Sequence, residues 1–225
     1  NIKEQGTNFE DTIIILPNKR STRGLMDALK DVIGNTFLEP EILSISDLIA
    51  KVINDTKEAE KLPLIYYLYE SYCKIFYDKH PLLAGEEKEP FAEFYLWGEK
   101  LLNDFDEIDK NLVNAETIFR NLKDYKDLES IPKDVLSEEQ RKTLEDFFKI
   151  DFENGKVRKK FADIWNCLLE IYKDFNQKLD EKHLAYSGKL KRRFVESLNK
   201  DKDLFPDKKF FVVGFSTLDA AERKL

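Results

Sequence analysis

Basic residues form three clusters, and they are the side chains of this sequence best suited to chemistry with an anionic ligand. The first cluster, Lys19, Arg20 and Arg23, follows directly on the apolar run Thr12–Leu16. Backbone amides at a helix N-terminus, combined with lysine and arginine side chains, form a phosphate site. We predict phosphate binding here and leave a purely structural role open. The other two clusters, Lys156–Lys160 and Lys189–Arg193, lie in helical patterns and are interpreted as solvated helix faces.

The motifs that a catalytic site would require are incomplete in this sequence. A phosphate loop needs glycine five positions before a Gly-Lys-Ser/Thr triplet, because glycine amides wrap the phosphates. The Gly-Lys pair Gly188-Lys189 is followed by leucine and has His183 at the glycine position. Two acidic-x-Lys triplets, Glu86–Lys88 and Asp180–Lys182, fit part of a magnesium nuclease motif but lie in helical or loop contexts. We therefore expect no complete catalytic site and no cofactor.

Metal binding is not supported by the spacing of the potential ligands. The acidic segment Asn103–Asp109 is dense in carboxylates. A calcium loop counted from Asp104 would need glycine at its sixth position and glutamate at its twelfth, and the chain has Asp109 and Ala115 there. The two histidines and two distant cysteines provide no zinc ligand set. The acidic segment is therefore interpreted as a helix end.

Composition restricts the class of protein. The 225 residues are 42% hydrophobic and 36% charged with a net charge of −7, a balance typical of globular chains. An acidic total argues against a binder that depends on overall positive charge, but it leaves room for a local basic strip. Cys73 and Cys167 sit in apolar helical patterns, which indicates free thiols in a reducing compartment. We expect a cytoplasmic protein without a membrane segment, and a piece of a larger chain.

Three apolar runs predict β-strands at Asp11–Leu16, Glu41–Ile45 and Lys209–Val213. The first and third are continuous apolar runs, which are typical of strands buried on both faces of a parallel sheet. An amphipathic helix lies between the first two strands, and Ser46 is predicted to cap the helix after the second. Alternating strands and helices favour a parallel α/β layer.

The middle of the chain has a helical pattern throughout. It includes Asn114 as a predicted N-cap and a capping box at Ser137–Gln140. The predicted fold is therefore α/β and predominantly helical. A small parallel sheet with flanking helices is formed by residues 1–60 and 186–225, and a large all-helical insertion occupies residues 61–185.

Four segments in this order resemble AddB-like proteins of the Bacteroidetes type, which are subunits of helicase–nucleases that process broken DNA ends. The resemblance covers nearly the whole chain, and it rests on the order and spacing of the segments. The segments are IIILPNKRSTRGL at 13–25, EILSISDLI at 41–49, FYLWGEKLLNDFDEID at 94–109, and the block from Tyr186 through Gly214-Phe215 to Glu222.

The resemblance implies a core like domain 1A of a superfamily 1 helicase, without the phosphate loop, and a 1B-like helical insertion. In an active helicase the strand that matches Phe210–Val213 ends in an Asp-Glu pair that holds magnesium and orients water. Val213 and Gly214 occupy those positions, and neither side chain can do so. The family further implies single-stranded DNA contacts at Lys19, Arg20, Arg23 and Ser46. It also implies an active partner subunit and a PD-(D/E)XK nuclease domain downstream.

Two functions remain open at this stage. The first is a non-catalytic, helicase-like module that binds or guides DNA during double-strand-break repair. The alternative is a helical protein–protein interaction module without a nucleic-acid role, which the acidic total and the 17 phenylalanines and nine tyrosines would suit. A basic groove at the strand ends favours the first, and an exposed aromatic patch favours the second.

Overall fold

The computed structural model describes residues 9–33, 39–79, 88–124, 155–201 and 204–224. The described chain is α/β and mostly helical, as predicted. Its elements, in chain order, are β1 (Thr12–Leu16), α1 (Ser21–Ile33), β2 (Glu41–Ser44), α2 (Ile45–Val52), β3 (Lys57–Glu58), α3 (Lys61–Lys79), α4 (Phe91–Lys110), α5 (Ala115–Asp124), α6 (Gly155–Glu181), β4 (Leu184–Ala185), α7 (Ser187–Lys200), β5 (Lys209–Val212) and a short 3-10 helix (Glu222–Lys224).

The chain separates into two compact units. Unit 1 comprises residues 1–58, 109–112 and 183–225, and unit 2 comprises residues 59–108 and 113–182. Within unit 1, β3 pairs in parallel with β4, and the Lys57 amide donates to the His183 carbonyl at 2.9 Å. This pairing was not predicted, because two-residue strands leave no periodic pattern in a sequence.

The sheet of unit 1 has three parallel strands in the order β2-β1-β5, which confirms the predicted small parallel sheet. Ile14 of β1 is the register partner of Ile42 in β2 and of Phe211 in β5. Because the strands are parallel, all three carboxyl ends meet at one edge. The polar segments that follow them are therefore brought together.

Both faces of β1 are covered, which explains its uninterrupted apolar sequence. Ile13 and Ile15 pack against the buried residues of α2 and against Phe194 of α7. Ile14 and Leu16 point to the opposite face and pack with Leu29 of α1. All five residues of the strand are buried, as expected for a central parallel strand between two helical layers.

β5 differs from its sequence-based expectation. Its run of apolar residues predicted a strand buried on both faces, but Phe210 is 38% exposed, Val212 45% and the following Val213 41%. The reason is its position, since β5 pairs with β1 on one side only and ends the described sheet. The prediction of the strand was correct, and the prediction of its burial was wrong.

Unit 2 is a helical assembly with an aromatic core. Phe105 of α4 has ring contacts with Phe119 of α5 and with Tyr172 and Phe175 of α6. The helices α3 and α6 are further linked by ion pairs, for example Lys74 with Asp174 at 2.5 Å. None of the described helices combines the length and apolar character needed to cross a membrane.

Several local predictions can be compared directly with the structure. Asn114 accepts a hydrogen bond from the Thr117 amide at 2.9 Å, which confirms it as the cap of α5. Cys167 is buried and Cys73 half-buried, and both are free thiols. The predicted capping box at Ser137–Gln140 lies outside the described residues.

Candidate nucleic-acid interface

The candidate site is the carboxyl edge of the sheet in unit 1. We define the carboxyl edge as residues 17–23 after β1, residues 44–47 after β2 and residues 213–214 after β5. It contains all six positions that the sequence singled out: Lys19, Arg20, Arg23, Ser46, Val213 and Gly214. Their common location follows from the parallel strand directions.

Arg20 and Arg23 are the cations of the carboxyl edge that have no partner among the described residues. Both are exposed, with Arg20 in the turn after β1 and Arg23 in the first turn of α1. Neither makes a hydrogen bond or ion pair with another described residue, whereas the three other arginines with described side chains all do. An arginine guanidinium carries five donors that match phosphate oxygens. These two arginines therefore keep their full capacity for an external anion.

The N-terminal amides of α1 are less available than the sequence suggested. The Ser21 amide donates to the Asn18 carbonyl at 3.3 Å and to the Asn18 side-chain oxygen at 3.2 Å. The Thr22 amide donates to the Lys19 carbonyl at 3.2 Å. These bonds satisfy the first donors of the helix, so an anion here would be held chiefly by side chains. Asn18 was not singled out from the sequence, although asparagine before a helix is a common cap.

Ser44, not Ser46, caps helix α2, so the predicted cap was wrong. The Ser44 hydroxyl accepts from the Asp47 amide at 3.2 Å, and the Asp47 carboxylate accepts from the Ser44 amide at 3.3 Å, which completes a capping box. Ser46 is exposed in the first turn of α2. Its hydroxyl is therefore not needed as a cap, and the predicted phosphate contact of Ser46 stays a prediction.

The two serines are expected to differ in their effect on stability. Ser44→Ala removes a cap that is 8% exposed and should lower the free energy of unfolding by about 1 kcal/mol. Ser46→Ala removes an exposed hydroxyl and should change it by less than about 0.5 kcal/mol. Denaturant titration followed by circular dichroism measures both values. Equal losses for the two variants would contradict the assignment of Ser44 as the cap.

Lys19 is paired within the carboxyl edge. Its ammonium lies 2.7 Å from Oδ1 of Asp47, with side-chain exposures of 77% for Lys19 and 30% for Asp47. Oδ2 of Asp47 accepts a hydrogen bond from the Ser44 hydroxyl at 2.7 Å. The hydrogen bonds from Lys19 and Ser44 hold the pKa of Asp47 below its usual value of 3.8. Asp47 is therefore an anion at neutral pH, and it faces one of the three cations that could bind phosphate.

Val213 and Gly214 lie next to the start of the basic turn. The Val213 amide donates to the Ile15 carbonyl at 3.0 Å, which continues the pairing of β5 with β1. Gly214 has φ +82°, and a Cβ placed there would lie 3.6 Å from Cδ of Pro17. The space would tolerate a side chain, but the left-handed backbone favours glycine. Neither residue offers an oxygen-bearing side chain to this edge.

The basic cluster at Lys189–Arg193 is not a solvated helix face, and that interpretation was wrong. Lys191 lies 2.6 Å from Asp219 and 2.7 Å from Glu222. Arg192 Nε lies 2.7 Å from the buried Asp109. These cations connect separate segments of unit 1. Because they are engaged by carboxylates of the chain, they are no longer candidates for binding an external ligand.

Arg193 completes this pattern on α7. Its guanidinium contacts both carboxylate oxygens of Asp55, at 3.1 and 3.2 Å. The side chains of the remaining basic cluster, Lys156–Lys160, lie outside those that the structure describes. Among the described residues, the first cluster is therefore the one basic cluster whose arginines remain unpaired.

Within the described part of the chain, no group of three or more histidine, cysteine, aspartate or glutamate side chains is arranged to hold a metal ion. The chain was also compared with family models, with curated proteins and with solved structures. None of the three comparisons gives a match. The function of this chain is therefore inferred from its own geometry and from its sequence resemblance to AddB-like proteins.

Proposed function

We propose that this chain is a non-catalytic, helicase-like module of a DNA double-strand-break repair subunit, which binds or guides single-stranded DNA. The observation that carries the proposal is a pair of exposed arginines, Arg20 and Arg23, at the carboxyl edge of a parallel sheet. Neither has a partner in the part of the chain that the structure describes. Ligands of open α/β sheets bind at this edge. Phosphate contacts from arginine and lysine supply most of the affinity for nucleic acid without sequence preference.

The proposal includes no ATP hydrolysis by this module. At the positions where an active helicase has an Asp-Glu pair, the chain has Val213 and Gly214. A valine and a glycine side chain can neither ligate magnesium nor orient an attacking water. In this proposal an active helicase–nuclease partner subunit moves the DNA strand. The nuclease activity of the full protein belongs to a downstream PD-(D/E)XK domain.

The resemblance to AddB-like proteins supports the finer assignment of the two units. Unit 1 corresponds in this proposal to a helicase domain 1A without its phosphate loop, because its central strand β1 leads into the basic turn at Lys19 and Arg20. Unit 2, an insertion between β3 and β4 whose described elements are helices, corresponds to a 1B-like domain.

Fluorescence anisotropy with a labelled 30-nucleotide thymidine strand tests the proposal. Three phosphate contacts to a single strand give a slope of about −2 in log affinity against log salt. The dissociation constant should therefore rise by roughly tenfold to twentyfold between 50 and 200 mM salt. A strand of deoxyadenosines should give a similar affinity, because phosphate contacts do not read the base. Undetectable binding at 50 mM salt, or binding that salt does not weaken, would contradict the proposal.

A protein-interaction role is the second candidate, and one observation in unit 2 favours it. Leu62 and Tyr66, one turn apart on α3, are 57% and 47% exposed, and Leu96 on α4 is 71% exposed. Exposed apolar residues of this size are typical of contact sites when they form a continuous patch. Replacing all three by serine separates the two functions, because it should leave DNA affinity unchanged and abolish only a protein contact.

A further inference from the structure

Asp47 is the carboxylate that contacts a cation of the carboxyl edge, and this contact bears on how the site selects its ligand. We propose that Asp47 is a specificity-determining residue, which occupies Lys19 in the free protein and yields it only to a ligand with several neighbouring phosphates. This inference rests on the proposed DNA-binding function. In this proposal Asp47 opposes the binding of phosphate, whereas Lys19, Arg20 and Arg23 favour it.

The two partners of this ion pair are held very differently. Asp47 is fixed through Oδ2, which accepts from the Ser44 hydroxyl at 2.7 Å and from the Ser44 amide at 3.3 Å. Only Oδ1 faces Lys19, at 2.7 Å. The Lys19 side chain is 77% exposed and makes no other ion pair among the described residues. When the pair opens, Lys19 therefore moves and Asp47 stays in place.

A fixed carboxylate in this position acts on a phosphate ligand in two ways. It competes for the ammonium of Lys19, and it repels any anion that approaches the same edge. A single phosphate gains little binding free energy, because Lys19 merely exchanges its ion pair with Asp47 for one with the phosphate. A nucleic-acid strand offsets this loss, since its adjacent phosphates also contact Arg20 and Arg23. Asp47 should therefore suppress binding of single phosphates more than binding of strands.

Asp47→Asn is the variant that tests this proposal in the full 225-residue chain. An asparagine keeps an oxygen that can accept the Ser44 hydrogen bonds, so the cap is retained while the charge is removed. Glu41→Gln is the matched control, because it removes the same charge from an exposed ion pair with Lys51 at the amino end of β2. Ser44→Ala is the structural control, which weakens the cap without changing the charge.

The expected result is an increase of about two- to fivefold in affinity for the labelled thymidine strand at 50 mM salt for Asp47→Asn. Glu41→Gln and Ser44→Ala should not raise the affinity. In a Lys19→Ala background, Asp47→Asn should give a smaller increase, because only direct repulsion remains. Inorganic phosphate, used as a competitor, should displace the strand more effectively from Asp47→Asn than from the wild type.

The outcomes separate this inference from the proposed function. Suppose that the wild type binds the thymidine strand, but that Asp47→Asn leaves this affinity unchanged or raises it no more than Glu41→Gln does. This result would overturn the role of Asp47 alone. An equal increase with and without Lys19 would show that Asp47 does not act through Lys19, which also overturns it. Absence of strand binding in every variant would overturn the proposed function, and the role of Asp47 with it.

Discussion

Replacing Lys19, Arg20 and Arg23 together by alanine should lower the affinity for single-stranded DNA about a hundredfold at 0.1 M salt. Each phosphate contact to a single strand contributes about 0.7 to the salt exponent. Between 1 M and 0.1 M salt, each contact therefore raises the affinity about fivefold, and three contacts raise it about a hundredfold. The salt slope should decrease by about 2 in the same experiment, and the loss should be the same for thymidine and adenosine strands.

A triple variant of equal charge serves as the control for this prediction. Lys30, Lys57 and Lys200 are exposed residues of unit 1 outside the carboxyl edge. Their combined replacement by alanine also removes three positive charges from the chain. It should reduce the affinity by less than about threefold, because exposed charges beyond a Debye length are largely screened. Similar losses in the two triple variants would show that net charge, and not the carboxyl edge, determines binding.

Arg192→Ala should lower the free energy of unfolding of unit 1 by about 3 to 5 kcal/mol, the largest stability effect that we expect for a single substitution. Asp109 is 1% exposed and accepts hydrogen bonds from Arg192 Nε at 2.7 Å and from the Tyr186 hydroxyl. Removing the guanidinium would take this ion pair away from a buried carboxylate. Tyr186→Phe removes one hydrogen bond from the same carboxylate and should have a smaller effect of about 1 to 2 kcal/mol.

Arg193→Ala is the matched control, because it removes the neighbouring arginine of the same helix. The carboxylate of its partner Asp55 is 58% exposed, so water can solvate it when the arginine is lost. The expected cost is below about 1 kcal/mol. Guanidinium denaturation monitored by amide hydrogen exchange, which resolves the residues of unit 1, measures both variants. A loss below 1 kcal/mol for Arg192→Ala would contradict a structural role for the buried pair.

The elements that the sequence predicts best are those whose pattern is local. The run Thr12–Leu16 is apolar at every position because helices cover both faces of β1, and this requirement is visible in the sequence itself. The cap of α2 could also have been predicted, since Ser44 and Asp47 have the spacing of a capping box and Ser46 does not. The burial of β5 could not be predicted from the sequence, because it depends on which strand pairs with it.

Long-range ion pairs are the part of the structure that the sequence did not reveal. Arg193 binds Asp55 across 138 residues, and Arg192 binds Asp109 across 83. No local pattern encodes such pairings. One signal was nevertheless present: consecutive residues of a helix point about 100° apart, so Lys191, Arg192 and Arg193 cannot share a single solvated face. The Lys19–Asp47 pair likewise depends on β1 and β2 being neighbours in the sheet.

The pairing of β3 with β4 has a practical consequence for making a minimised version of unit 1 from this chain. Since Lys57 and His183 are hydrogen-bonded neighbours, a short loop between Glu58 and His183 could replace the 124 intervening residues, 59–182. That excision would also discard Asp109–Leu112, which belongs to unit 1. Arg192 and Tyr186 would then lose their hydrogen bonds to Asp109. A stable minimised protein would therefore need an apolar residue in place of Arg192, besides the new loop.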